Sequence, residues 1–342
     1  MRVGPIAFAL VTALVVAPIA AVGQSPSPGL PPPAPGNRVL WQGRWWFLMG
    51  ANVAWYNYAG DFGGGVQDGV SSTASYGALD ARFQQASAAG LHVLRWWAFV
   101  GNHMETDPSG VPLRVRDAVY PDFDAALQLA EKYDLYYVFN LFRNPEDVKR
   151  WVVDQAKRAA LARAVGPLFV RYKDNPRILA WEVFNEPEYA INNGSVTLEA
   201  AQDTVRLVAQ SIHANSNAYA MTGTDDIAHF ERWLSLGADF VTLHWYEEVD
   251  PERCLLCTTA SRIKADHPGS SPIVVGEWIA NESQSKAPPT DPVVRWRYWY
   301  DNEYAGAWPW TLFPEKTGDG FQIDLGAAAM FSREHADLGP RR

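Results

Sequence analysis

Residues 178–190 read ILAWEVFNEPEYA. The run is apolar but for Glu182 until it closes on Asn185-Glu186-Pro187, where two polar side chains and a proline stop it. An apolar run of this length suits a strand of a parallel sheet covered on both faces. Seven more runs of the same kind follow the chain: WWFLMGAN ending at Asn52, LHVLRWWAF around Arg95, LYYVFNLF around Asn140, AYAMTG ending at Gly223, DFVTLHWY around His244, PIVVGEW around Glu277 and AGAWPWTLF around Trp308. Between them lie longer segments such as ALDARFQQASAAG and LEAAQDTVRLVAQSIHA, with apolar residues at three- and four-residue spacing, the period of an amphipathic helix. Eight strand-helix units predict an α/β chain folded as a single-domain (β/α)8 TIM barrel. A doubly wound open sheet is the alternative, disfavoured because no Gly-rich phosphate loop follows the first strand. The glycines of DFGGGV (61–66) lie in the loop beyond that strand and read as a flexible rim.

The 342 residues carry a formal net charge of −9 and are 48 % hydrophobic, an acidic globular composition with enough chain for one barrel-sized core. No basic face is visible, which excludes nucleic acid as a partner; a monomer is expected. The 15 Trp, 14 Tyr and 15 Phe serve a core, and flat aromatic rings also line sugar-binding clefts. Arg2 precedes the apolar run IAFALVTALVVAPIAAV (6–22) and small residues follow it, the pattern of a secretory signal peptide. Residues 1–23 are assigned to that signal. An uncleaved membrane anchor is the alternative, although the run is short and broken by Pro18. Residues 24–38, with SPSPGLPPPAPG, read as a stiff extended linker, and the folded domain is expected over 39–342. Export to the outside of the cell favours a disulfide between Cys254 and Cys257 of CLLC over two free thiols. Two thiols with no nearby His make no metal site.

In a barrel of this kind the strand ends and the loops after them build the site. The endings, in order, are Asn52, Arg95, Asn140, Asn185 with Glu186, His244 with Tyr246, Glu277, and Trp308. Any one of them reads most simply as a satisfied core group, but seven strands ending this way point to a site. Two endings are carboxylates, on the fourth and seventh strands, across the mouth from one another. Glycoside hydrolysis needs such a pair, one carboxyl to protonate the leaving oxygen and one to attack the anomeric carbon or activate water. Arg95 and Tyr246 are expected to keep Glu277 ionised and lower its pKa, while Glu186 holds its proton in a drier setting. Glu182 shares a face with Glu186 but lies deeper, where it must be paired or protonated. Glu188 is expected to face the loop, and Glu247, Glu248 and Asp250 to sit in a solvated one. Trp310 shares a face with Trp308 and is expected beneath it. Trp55, Tyr56, Tyr58, Trp96, Trp97, Trp245 and Trp278 divide between core packing and sugar stacking. No His-x-His or clustered His/Asp set stands at the strand ends, so neither a metal nor another cofactor is expected.

These residues carry a resemblance. WEVFNEP (181–187) resembles the acid/base motif of the clan A glycoside hydrolases, and VVGEW (274–278) resembles their nucleophile motif. LRWWAF (94–99) is similar to the strand-two Arg motif of family 5 in that clan, and LHWY (243–246) to its strand-six His-x-Tyr motif. The likeness runs from about Trp45 to Leu312, and four motifs in order at the right strand ends are specific. It implies that residues 39–342 form a glycoside hydrolase domain with a retaining mechanism, a covalent glycosyl-enzyme intermediate and no metal. Glu186 would then be the acid/base and Glu277 the nucleophile. Asn185 would hold the sugar 2-hydroxyl, Arg95 and Tyr246 would orient Glu277, His244 would line the subsite and Trp308 would stack under the reacting sugar, with Asn52 and Asn140 among the binding residues. GANVAWYNY, VLRWWAF and LAWEVFNEP are most similar to the endo-β-1,4-mannanases, which implies a polysaccharide substrate, β-1,4-mannan first. Asn140 stands where many family-5 members place a His, and HWYEEVD lacks the His-x-Tyr-Pro continuation common in mannanases. An endo-β-1,4-glucanase and an exo-β-glycosidase therefore stay open. A carbohydrate-binding barrel without turnover is the alternative from another class.

Overall fold

The structure, a computed structural model, describes residues 38–100, 103–246, 258–267 and 272–338. The signal segment 1–23, all of the linker but Arg38, the CLLC cysteines, and Glu247, Glu248 and Asp250 lie outside the described residues. Eight parallel strands close into a barrel: β1 (Leu48–Ala54), β2 (Val93–Trp97), β3 (Tyr136–Phe142), β4 (Ile178–Phe184), β5 (Tyr219–Thr224), β6 (Phe240–Trp245), β7 (Val274–Trp278) and β8 (Gly306–Ala307). Each pairs with the next, and β8 returns to β1 through Gly306 opposite Leu48. Each of the eight runs read as a strand has become one of these strands.

Among the described residues, seven α-helices of seven residues or more cover the outside: α1 (Thr73–Ala88), α2 (Tyr120–Tyr133), α3 (Gln155–Arg171), α4 (Leu198–Asn215), α5 (Ala260–Asp266), α6 (Pro292–Asp301) and α7 (Leu325–Glu334). Their starts follow local chemistry. Asp154 caps α3, Thr197 caps α4, and Asp291 caps α6 just ahead of Pro292, each side chain accepting an amide that the first turn leaves unpaired. After β5 a 3-10 stretch, Ile227–Trp233, takes the place of an α-helix before Phe240.

Strand alternation divides the core in two. Trp96, Phe139 and Trp181 face the helices, while Leu48, Val93, Val138, Met221 and Trp308 fill the barrel interior. A short antiparallel hairpin, Val39–Trp41 with Arg44–Trp46, places Val39 and Trp46 in that interior cluster. The DFGGGV loop departs from the flexible rim that its glycines suggested. Buried Asp61 accepts from the amides of Tyr56 (2.7 Å) and Asn57 (2.6 Å) and from the Trp96 indole (2.8 Å), and Gly63 donates to Asp122 at 2.7 Å. The partners that tie it down, Trp96 and Asp122, are remote in sequence, which is why local composition concealed them.

Candidate active site

Alternation along VLRWW sends Arg95 into the barrel and Trp96 out to the helices. A fully buried guanidinium needs an acceptor for each prong of its fork. Arg95 Nε donates to Glu182 Oε2 at 2.7 Å, Nη1 to Asn52 Oδ1 at 2.9 Å and Glu277 Oε1 at 2.6 Å, and Nη2 to Asn185 Oδ1 at 2.5 Å. Burial alone would lower its pKa, but Glu182 and Glu277 outweigh that and the net shift is upward, so the group stays charged. Glu182 is thus paired at depth, as its position on β4 required. Asn52 in turn donates to the carbonyls of Gly276 (2.8 Å) and Trp308 (2.9 Å), tying β1 to β7 and to the end of β8. Arginine only donates, so its contact fixes the Asn185 amide with Oδ1 inward, and the NH2 end is what Asn185 offers the cleft. Room for this turn comes from β5. A Cβ added at Gly223 would lie 2.1 Å from the Asn185 carbonyl oxygen, so only glycine lets the turn settle there.

The two carboxylates stand in different surroundings. Glu277 accepts from Arg95 and, at 2.7 Å, from the Tyr246 hydroxyl. Burial pushes its carboxyl up, while His244, Arg95 and Tyr246 pull it down, and the net direction is up. This corrects the expectation of a lowered pKa: the donors act in the foreseen direction, and loss of solvent outweighs them. Burial and the adjacent Glu277 hold the Tyr246 hydroxyl well above its usual range, so it remains a neutral donor. Glu186 Oε1 lies 2.6 Å from His244 Nδ1. Burial first, then the charge of Asp225, push Glu186 up to about 7 against the pull of Arg95. Burial pushes His244 down to about 4, so at neutral pH it meets Glu186 as an uncharged ring. Glu186 is the more open of the two, with 31 % of its side chain accessible against 5 % for Glu277, which corrects the expectation of a drier site. It opens onto the cleft. Arg95 and Tyr246 aim two donors at Glu277 and none at Glu186, which favours the proton on Glu186. One oxygen of each carboxylate lies within 4.8 Å of the other.

These groups form the floor of a cleft of about 530 Å³ lined by Asn185, Glu186, Tyr246 and Glu277, with Trp97, Asp225, Asp226, His229, Trp310, Asp319 and Phe321 on its walls. Arg95 and His244 are fully buried behind the floor and touch the carboxylates. His244 therefore backs the subsite instead of lining it as expected, and three further residues expected at the substrate also lie outside the cleft. Asn52 is enclosed among backbone carbonyls and Arg95. Asn140 is fully buried, in register with Trp97 and Glu182. Trp308 donates to the Leu48 carbonyl at 3.0 Å and packs in the barrel interior. Trp310 lines the cleft instead, its indole donating to Asp319 at 2.6 Å. Parallel strands run toward the mouth, so of two residues on one face the later is the higher, and Trp308 lies beneath Trp310 rather than above it. Asp225 and Asp226 directly follow β5 and the same strand-end rule would have found them; the reading stopped at Gly223, one residue short of the strand's end. His229, Asp319 and Phe321 sit on connections that no spacing rule locates.

Glu188 also corrects an expectation. It is fully buried rather than facing the loop, and accepts from Thr224 Oγ1 at 2.8 Å, from the Asp225 amide at 3.3 Å and from the Trp233 indole. Burial, then Asp225, push it up to about 7. It clamps the turn that carries Glu186 to the end of β5, and His229 Nδ1 holds Asp225 Oδ1 at 2.7 Å beside it. Among the described residues, Glu186, His244 and Glu277 form one group of donors spaced for a metal ion, and Glu188, Asp225 and His229 another. In the first, the Arg95 cation already occupies Glu277 at 2.6 Å and would repel a second cation. In the second, the donors bond one another, Thr224 and Trp233.

Residues 58–315 match the family described as Cellulase (glycosyl hydrolase family 5). The chain belongs to glycosyl hydrolase family 5. A mannan endo-1,4-beta-mannosidase of Mytilus edulis is 24 % identical over 225 residues, covering 63 % of this chain and 57 % of that protein. One of Cryptopygus antarcticus is 29 % identical over 187 residues, 52 % of this chain and 47 % of its own length. The chain thus matches about half the length of these relatives. In fold it is similar to the crystal structure of the Cryptopygus antarcticus beta-1,4-D-mannanase, with a TM-score of 0.70 at 20 % identity over 87 % of this chain and 92 % of that one.

Proposed function

We propose that this family-5 chain is a secreted retaining β-glycosidase that cuts β-1,4-mannan by double displacement. The observation that carries the proposal is the carboxylate pair: one oxygen of each within 4.8 Å, with the strong donors gathered on Glu277. Retaining glycosidases hold their two carboxyl groups about 5–5.5 Å apart, and inverting ones leave roughly 6.5–9.5 Å for a water molecule. Glu277 attacks the anomeric carbon while Glu186 gives its proton to the leaving glycosidic oxygen, so the glycosidic bond breaks as the Glu277–sugar ester forms. Glu186, now ionised, takes a proton from water; the hydroxide attacks the anomeric carbon and releases Glu277. Arg95 and Tyr246 hold the attacking oxygens in place and stabilise the carboxylate that returns at the end.

The mannan assignment rests on the relatives' names and on the motif likeness. Among the described residues, Asp225, Asp226 and Asp319 line the cleft and no Lys or Arg does, which favours an uncharged polymer over one carrying uronates or sulfates. Export rests on the signal pattern of residues 1–23. Product release from β-1,4-mannan, glucomannan, carboxymethyl-cellulose and aryl β-glycosides, beside Glu277→Gln, tests the proposal. Manno-oligosaccharides released by the parent and absent with Glu277→Gln are the expected result. Release from carboxymethyl-cellulose alone would move the substrate to β-1,4-glucan, and turnover undiminished in Glu277→Gln would overturn the mechanism.

A further inference from the structure

The aromatic wall of the cleft continues past its edge. Ring centroids of Trp310 and Trp97 lie 5.7 Å apart within the cleft; Trp55 stands 5.1 Å from Trp97, and Tyr58 5.0 Å from Trp55. The series ends in the open, with Tyr58 52 % exposed. Arg143 Nη1 donates to the Tyr58 hydroxyl at 3.0 Å, and Asp147 grips the same guanidinium through Nη2 at 2.6 Å and Nε at 3.1 Å. A second exposed ring, Tyr189, follows the Glu186 turn. Among the described residues, Tyr58 and Tyr189 are the aromatic members of the exposed large hydrophobic set. The backbone ties this rim to the chemistry: the Arg143 carbonyl accepts from the amides of Asn185 at 3.1 Å and Glu186 at 3.3 Å.

A tyrosine held in one orientation at the surface gives up side-chain entropy without the burial that normally offsets it. Its outer face is therefore prepared for a partner. We propose that Tyr58 and Arg143 form a distal sugar-binding subsite, filled by the same β-linked glycan chain that passes through the cleft. A pyranose suits it on both counts: its C–H face stacks on an aromatic ring, and its hydroxyls accept from a guanidinium. A chain suits it better than a free sugar, because rings packed on one another from Trp310 through Trp97 and Trp55 to Tyr58 join the rim to the cleft without a break. This inference rests on the glycoside hydrolase reading, and it places the cut within a chain rather than at its tip.

Titration of the Glu186→Gln protein with manno- and cello-oligosaccharides of increasing length provides the test. Affinity should climb with length, the last increment amounting to about tenfold. With Tyr58→Ala added, that last increment should vanish; with Tyr58→Phe, which keeps the ring, most of it should remain. Tyr58 is exposed, so both variants should fold, as an unchanged melting temperature would verify. An increment equal with and without the Tyr58 ring, or affinity that stops growing once the cleft is filled, overturns the subsite alone. Binding of neither series by the Glu186→Gln parent overturns the subsite and the glycosidase reading together.

Discussion

Replacing Glu186 by Gln should remove activity and, at alkaline pH, stabilise the fold. The surroundings hold the Glu186 carboxyl at about 7 against an ordinary 4.5. Below pH 4.5 the group is protonated in the folded and unfolded chains alike, and the site imposes no charge penalty. Between 4.5 and 7 the unfolded chain releases its proton while the folded chain keeps it, so stability falls as pH rises, and above 7 the penalty is complete. Taken in full, that difference in pKa corresponds to about 3.4 kcal/mol. About a third of the side chain is open to the cleft, and water there recovers part of the cost, leaving about 1–2 kcal/mol. Gln cannot ionise, so the variant escapes the penalty. Urea unfolding of both proteins at pH 4.5, 6 and 8 measures it. Buried Asp61 and Glu188 are also pushed up, to about 6 and about 7, but both proteins share that background and the difference between them removes it. The stability gain of Glu186→Gln should grow from near zero to about 1–2 kcal/mol across the range. A flat difference would refute the raised pKa and, with it, the physical basis for Glu186 as the acid.

The neighbours of that carboxyl should show in the pH profile of kcat/KM. Asp225→Asn removes a charge that holds Glu186 up, while Arg95 opposes it and neutral His244 stays, so the alkaline limb should move to lower pH; an unmoved limb would remove Asp225 from the account. The two tryptophans that follow β8 should separate by assay: Trp308→Ala should cost about 3–5 kcal/mol of stability, whereas Trp310→Ala should raise KM for oligosaccharides with a smaller change in melting temperature. Glu182→Gln leaves the Arg95 guanidinium without one of its two buried counter-charges, and denaturation should show a loss of about 3 kcal/mol.

The barrel was legible because each strand is an apolar run with a polar stop, and the period changes from strand to helix along the chain. The pairing of Glu182 was legible too, since alternation alone puts it below Glu186. Direction along the strand likewise sets Trp308 below Trp310, the reverse of the expected order, so Trp310 is the ring that meets the cleft. Asp225 lies beyond the apolar run AYAMTG, which ends on Gly223 one residue short of the strand. Burial of Glu188 depends on Thr224 and Trp233, and the tethering of DFGGGV on Trp96 and Asp122. These are partners that only the closed barrel brings near, so no local pattern announces them. The pKa of Glu277 could not be signed from its donors alone, because the opposing quantity is the amount of solvent lost.

Arg95 bonds to groups from β1, β4, β7 and the turn after β4, and this makes the floor of the cleft a checkpoint on assembly. A slip of β2 by one residue would swing Arg95 out among the helices and strand two carboxylates and two amides inside with no cation. A barrel closed in that wrong register is penalised at the same spot where the correct one gains its chemistry. Sequences that drift toward looser closure therefore lose the site before they lose the barrel.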